Sequence, residues 1–215
     1  METDVSLRWR FGFAAWLSAL PLVSAAADTR YDFQVLLDDK PIGEHRFTVD
    51  GPVDARTVVS DARFAVKLMG LTVYRYTHRA EEQWRGNCLR SLVASTDDDG
   101  TASRVTAEAA GDALKVVMPE GTRSIEGCVM SFAYWNPAIR QQTRLLNAQT
   151  GRLEAVQVSR IASGTVEARG QTVPAVRWRI DGPAQPVDVW YTAQGEWVGL
   201  DSTVGGGRKL SYRLK

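Results

Sequence analysis

Tyr74, Tyr76, His78, Glu82 and Trp84 fall on one parity of a single extended stretch, and Val73, Arg75, Thr77, Arg79 and Glu81 fall on the other. Successive side chains of a strand point to opposite faces, so the first set shares one face. Aromatic rings supply area, and hydroxyl, imidazole and indole tips supply direction, as a pocket for an amphipathic ligand requires. His78 is also placed for general-base work, with Tyr74 or Tyr76 assisting, if a substrate reaches both. The plainer reading is a core face whose polar tips find backbone partners. Arg75 and Arg79 belong on the wet side of a one-sided sheet, which turns the aromatic stripe inward. The same argument points Glu82 inward, a placement that favours a bend or an end of the strand near Ala80. Trp135, just before Asn136-Pro137, and Trp178 and Trp190 in the C-terminal part are expected to join that surface. The predicted ligand-binding set is therefore Tyr74, Tyr76, His78, Trp84, Trp135, Trp178 and Trp190.

Other chemistry finds less support. His45 and His78 are the only histidines. A metal site using both would need carboxylates such as Glu44 or Glu82, and Glu44 points away from its neighbour His45 in a regular strand. Asp97-Asp98-Asp99-Gly100 begins like a calcium loop but lacks its closing Glu, and Asp and Gly are also what a hairpin turn uses. Gly205-Gly206-Gly207-Arg208-Lys209 lacks the spacing of a phosphate-binding loop, and an alternating strand follows it instead of a helix. The Gly-x-Ser-x-Gly elbow is absent. No metal, cofactor or catalytic residue is predicted.

Cys88 and Cys128 are the only cysteines. Without a Cys-x-x-Cys or metal-ligand spacing, they are expected to form one disulfide in an oxidising compartment. That compartment is indicated at the N-terminus. Arg8 and Arg10 precede an uncharged run from Phe11 to Ala27, which ends in Ser24-Ala25-Ala26-Ala27. These are the parts of a secretory signal peptide, with cleavage expected near Ala27 and a periplasmic destination. The alternative is retention of residues 1–27 as an anchor, and no later segment is apolar enough to cross a membrane. The formal net charge is +1 and the arginines are scattered, so nucleic acid is not an expected partner.

The rest, 28–215, reads as a single β-rich domain. Tyr31, Phe33, Val35 and Leu37 alternate with polar residues, as do His45, Phe47 and Val49, and turn residues punctuate the series. The long run through Val58, Ala62, Phe64, Val66 and Leu68 is expected to bend at Gly70. The pattern predicts about eleven antiparallel strands. One segment differs: Asn136-Pro137 is a helix-start signal, and Ile139 and Leu146 recur at a helical period, which predicts a helix over 137–146. Ile139 and Leu146 are expected to pack on the sheet, with Arg140 in water. The expected architecture is all-β, a curved sheet or half-barrel with this one short helix covering its concave side.

Tyr31-x-Phe33, Ile42-Gly43-x-His45, Trp84-x-Gly86-x-Cys88-Leu89, Tyr134-Trp135-Asn136-Pro137, Asp188-Val189-Trp190-Tyr191 and Gly195-Glu196-Trp197 form a recognisable succession. It resembles a group of exported bacterial proteins classed as a domain of unknown function. At the level of fold the chain also resembles periplasmic half-barrel proteins, including carriers of lipoproteins between membranes. That second likeness implies a concave apolar surface and no cofactor. The leading expectation is a non-enzymatic periplasmic protein that binds a hydrophobic small molecule, a lipid or a lipoprotein-like partner. The alternatives are an enzyme acting on an envelope lipid or glycan through His78, and a scaffold that binds another envelope protein.

Overall fold

A computed structural model describes residues 28–215. The proposed signal peptide lies outside the described residues. Among the described residues no helix is long and apolar enough to cross a membrane.

Among the described residues, alternating apolar residues give fifteen strands. The first eight are β1 (Thr29–Leu37), β2 (Lys40–Asp50), β3 (Arg56–Leu68), β4 (Leu71–Arg85), β5 (Cys88–Asp98), β6 (Thr101–Ala110), β7 (Ala113–Met118) and β8 (Gly121–Glu126). Two short strands follow, β9 (Arg144–Leu146) and β10 (Leu153–Ala155). The last five are β11 (Gln157–Ala168), β12 (Gln171–Asp181), β13 (Val187–Tyr191), β14 (Trp197–Val204) and β15 (Arg208–Leu214). All but β9 and β10 join one thirteen-stranded antiparallel sheet, in the order β11 to β15 and then β1 to β8. The C-terminal strand thus pairs with the N-terminal one, Phe33 opposite Leu214.

The count exceeds the predicted eleven for identifiable reasons. Only Ile125 of β8 is buried, and a polar strand of that kind suits an exposed sheet edge. Residues 153–161, which read as one run of strand in the sequence, are divided between β10 and β11. Gly70 is part of a hairpin turn between β3 and β4, with Leu68 paired to Leu71, and not a bend within one strand.

Residues 127–156 connect β8 to β11, the two edges of the sheet, and form a small second layer against it. Val129, Met130, Ala133, Ile139, Leu145 and Leu146 are all buried with the sheet core. The disulfide between Cys88 and Cys128 ties the start of this segment to β5. The backbone adds a hydrogen bond from Leu89 to Val129 (2.8 Å) and one from Leu146 to Met130 (2.8 Å).

The predicted ten-residue helix is shortened to a 3-10 turn, Pro137–Gln141. Asn136 does cap it, since its side chain accepts from the Ala138 amide. Gln142 is already extended, and Arg144–Leu146 pairs with Leu153–Ala155 as a ribbon. A helix this short has little stability of its own, so strand pairing of the following residues prevails. Ile139 and Leu146 are buried as expected. Arg140 is not simply in water: its guanidinium lies 5.3 Å from the Trp178 ring centre and 5.4 Å from that of Tyr191.

Candidate functional site

β4 alternates without interruption from Tyr74 to Arg85, with the even-numbered side chains turned inward. Because this alternation continues past Ala80, Glu82 points into the protein. Its Oε1 accepts from the Ser131 hydroxyl (2.8 Å) and its Oε2 from the Trp84 indole (3.0 Å). Burial pushes the Glu82 carboxyl up to about 7, against the lowering effect of those two donors.

Cross-strand register brings the neighbouring strands to the same face. Phe33, His45, Ala62, His78 and Thr96 are successive partners across β1 to β5. The two histidines are thus separated by one strand, roughly 10 Å at the usual strand spacing. His45 Nε2 lies 2.7 Å from the Ser60 hydroxyl, and its Nδ1 lies 3.4 Å from the Tyr212 hydroxyl. His78 Nδ1 lies 2.8 Å from the Thr96 hydroxyl. Each imidazole is therefore oriented by hydroxyls and not by a carboxylate. Desolvation lowers His45 to about 3, with His78 adding to the effect, and lowers His78 to about 4. Both rings are neutral at pH 7. Among the described residues no group of three or more acidic, His or Cys side chains is placed to hold a metal ion.

Between this face and the connecting segment lies a cavity of about 740 Å³. Its walls are mostly apolar or aromatic. Phe64 stacks on Tyr76 with centroids 5.2 Å apart, and Phe64 also meets Tyr212 edge-on at 6.2 Å. Trp135 and Trp197 line its deeper part, where Trp197 packs on Phe33 at 4.3 Å and Phe47 at 5.0 Å. Tyr134 lines it from the connecting segment. The other end is a mouth edged by Val73, Asp98, Gln149 and Arg208, all exposed. There Tyr74 donates to Asp98 (2.7 Å).

The sequence-predicted residues divide into two groups. Tyr74, Tyr76, His78 and Trp135 line the cavity. Trp84 has the expected face but lies behind the wall, fully buried, with its ring edge-on to Trp135 at 5.4 Å. Trp178 is on β12 beneath Arg140, away from the cavity. Trp190 faces the opposite side of the sheet, where it donates to Asp201 (2.7 Å) and its six-membered ring faces Gly164 of β11. Its neighbour Asp188 is on that same side and binds Arg179 through both carboxylate oxygens.

Sequence reasoning did not assign His45, Phe64 and Tyr212 to the site. The shared parity of His45 with Phe47 was visible, but alternation within a strand does not reveal the register between strands. Ile42-Gly43-x-His45 has its own explanation. A Cβ on Gly43 would lie 2.0 Å from the Arg63 carbonyl oxygen, so glycine permits the close approach of β2 and β3 beside His45.

The chain matches, over residues 33–215, the family described as a domain of unknown function (DUF6134), and it belongs to that family. No curated protein matches it. It is similar in structure to a β-barrel-like protein of a different domain of unknown function, DUF1849, from Brucella abortus. The TM-score is 0.61 at 11% identity, covering 87% of this chain and 95% of the other. That likeness concerns the fold.

Proposed function

We propose that the protein is an exported, periplasmic binding protein that holds one hydrophobic or amphipathic ligand, a lipid or a lipoprotein-like acyl group, in the cavity of its curved sheet. The observation that carries this reading is the cavity itself. Its volume lies within the range of roughly 300–1,000 Å³ typical of small-molecule sites, and its aromatic walls are interrupted by a few placed polar groups. Neutral His45 and His78 add hydrogen-bonding capacity without charge, and burial holds the phenols of Tyr76, Tyr134 and Tyr212 in their protonated form. Hydrocarbon is therefore accommodated along the walls, while carbonyl, hydroxyl or ester groups find partners. Trp135, Tyr74, Tyr76 and His78 are the contact residues in this proposal. Export is supported by the basic and apolar halves of residues 1–27 and by the disulfide.

Native mass spectrometry of protein purified from the bacterial envelope tests the proposal. The expected result is a co-purified lipid of defined mass, on a chain whose N-terminus begins near Asp28. A ligand-free mass that does not change after incubation with lauric acid would overturn the binding reading. A chain retaining Met1 to Ala27 would overturn the soluble periplasmic form.

A further inference from the structure

The β3–β4 hairpin extends beyond the rest of the sheet. β2 pairs with β3 only as far as Phe64, and β5 pairs with β4 only from Tyr76 onward. Residues 65–68 and 71–75 consequently pair with each other and with no third strand. The four residues of the β3 arm correspond to a projection of about 13 Å. Its tip is apolar and bare: Met69 is 96% exposed, Leu71 73%, Leu68 62% and Val73 52%. Contiguous apolar exposure marks an interaction site, whereas single exposed apolar residues do not.

The turn at this tip contradicts its local preference. Met69 has φ 50° and Gly70 φ 83°. Asn, Asp or Gly is the usual residue where φ is positive, because side chains crowd the backbone there. The other hairpin turns of this protein that begin with a positive-φ non-glycine residue use Asp38, Asp99 and Arg169. Only at the β3–β4 tip does a methionine take that position and point into solvent.

Charge and position identify the occupant. The charged side chains on the arm, Lys67 and Arg75, are both basic, and among the described residues neither forms an ion pair. The carboxylates of the adjacent turn stand at the base of the arm, Asp98 opposite Tyr76, where they accept from the Tyr74 hydroxyl and the Gly100 and Arg75 amides, whereas Lys67 lies two residues from Met69 at the tip. An apolar tip behind a basic collar fits a bilayer of anionic phospholipid, with side chains among the acyl chains and ammonium and guanidinium groups at the phosphates. The inner face of the arm is also one lip of the cavity, since Val66, Val73 and Tyr74 line it.

We infer that the β3–β4 arm inserts Leu68, Met69 and Leu71 into the surface of an anionic phospholipid membrane, so that the cavity mouth opens onto the bilayer. The membrane contact itself is independent of the cavity's contents, and only its purpose, ligand exchange, rests on the function proposed above. Flotation of the purified protein with phosphatidylglycerol–phosphatidylethanolamine vesicles tests it. The wild-type protein should float, and should do so at least about tenfold less with pure phosphatidylcholine. Met69→Asn with Leu71→Ser should abolish flotation, and because Asn is well suited to a positive φ this variant should melt no lower than the wild type. Lys67→Glu with Arg75→Glu should remove the preference for anionic vesicles. Failure of the wild type to float, or equal flotation of the Met69→Asn, Leu71→Ser variant, would overturn the inference. Binding of a soluble dansyl-undecanoic acid probe, measured without vesicles, separates the two proposals. Flotation without probe binding retains the arm and rejects the cavity, and probe binding without flotation does the reverse.

Discussion

The two ends of the β3–β4 hairpin carry the same alternating pattern and meet different fates. At one end, Glu82 and Trp84 are covered by Ser131 and Trp135 of the connecting segment. At the other, Val66 and Tyr74 edge an open mouth, and Leu68 and Leu71 project beyond the sheet. Alternation determines which face a side chain occupies. Whether that face becomes core, cavity wall or exposed arm depends on what lies opposite. Here residues 127–156 supply the opposing layer at one end and leave it incomplete at the other.

If this comparison is right, the same kind of substitution should have opposite consequences in the two regions. Ile139→Asp places an unpaired charge where Ile139 is fully buried and should cost about 4–5 kcal/mol or prevent folding, as read by urea denaturation. Reduction of the disulfide between Cys88 and Cys128 releases the covering segment from β5. For a sequence separation of 40 residues it should cost on the order of 2–4 kcal/mol, seen as a lower denaturation midpoint with dithiothreitol.

Proton linkage probes the junction between filled and open regions. His45 and His78 have folded pKa values depressed from 6.5 to about 3 and about 4, so their contribution is present above pH 6.5 and is lost as pH falls toward those values. Glu82 is raised from 4.5 to about 7, so its contribution is present below pH 4.5 and is lost as pH rises toward 7. Two histidines oppose one glutamate, and stability should rise with pH between 4.5 and 6.5. Glu82→Gln should steepen that rise and His78→Gln should flatten it, in midpoints measured across that interval. The smallest effect belongs to the arm. Leu71→Asp should shift the midpoint by less than about 0.5 kcal/mol, as for other exposed positions, and a large loss would show that the arm is part of the core.

Much of the fold was legible in the sequence because strand alternation is local. β1 through β7 and β12 through β15 follow from turn residues and period-two burial, and the pairing of the two cysteines follows from their number. Residues 137–146 were misread because capping by Asn136 is local, whereas the partner of Arg144–Leu146 is a strand that begins seven residues after Leu146, at Leu153. Three of the seven predicted site residues, Trp84, Trp178 and Trp190, likewise do not line the cavity. Tyr74, Tyr76 and His78 belong to one strand and could be grouped by parity. Trp178 and Trp190 could be excluded only by knowing the curvature of the sheet, which sets Trp190 on its outer side, against β11.

The most direct test of the account asks whether the aromatic stripe borders empty space or packed core. Fluorescence titration with dansyl-undecanoic acid should show saturable one-to-one binding. Tyr76→Asp should weaken it by about tenfold or more, equivalent to about 1.4 kcal/mol, while the urea midpoint of the folded protein stays within about 1 kcal/mol of wild type. Absence of probe binding by the wild type, or unfolding of the Tyr76→Asp variant, would contradict the claim that this sheet encloses a ligand cavity.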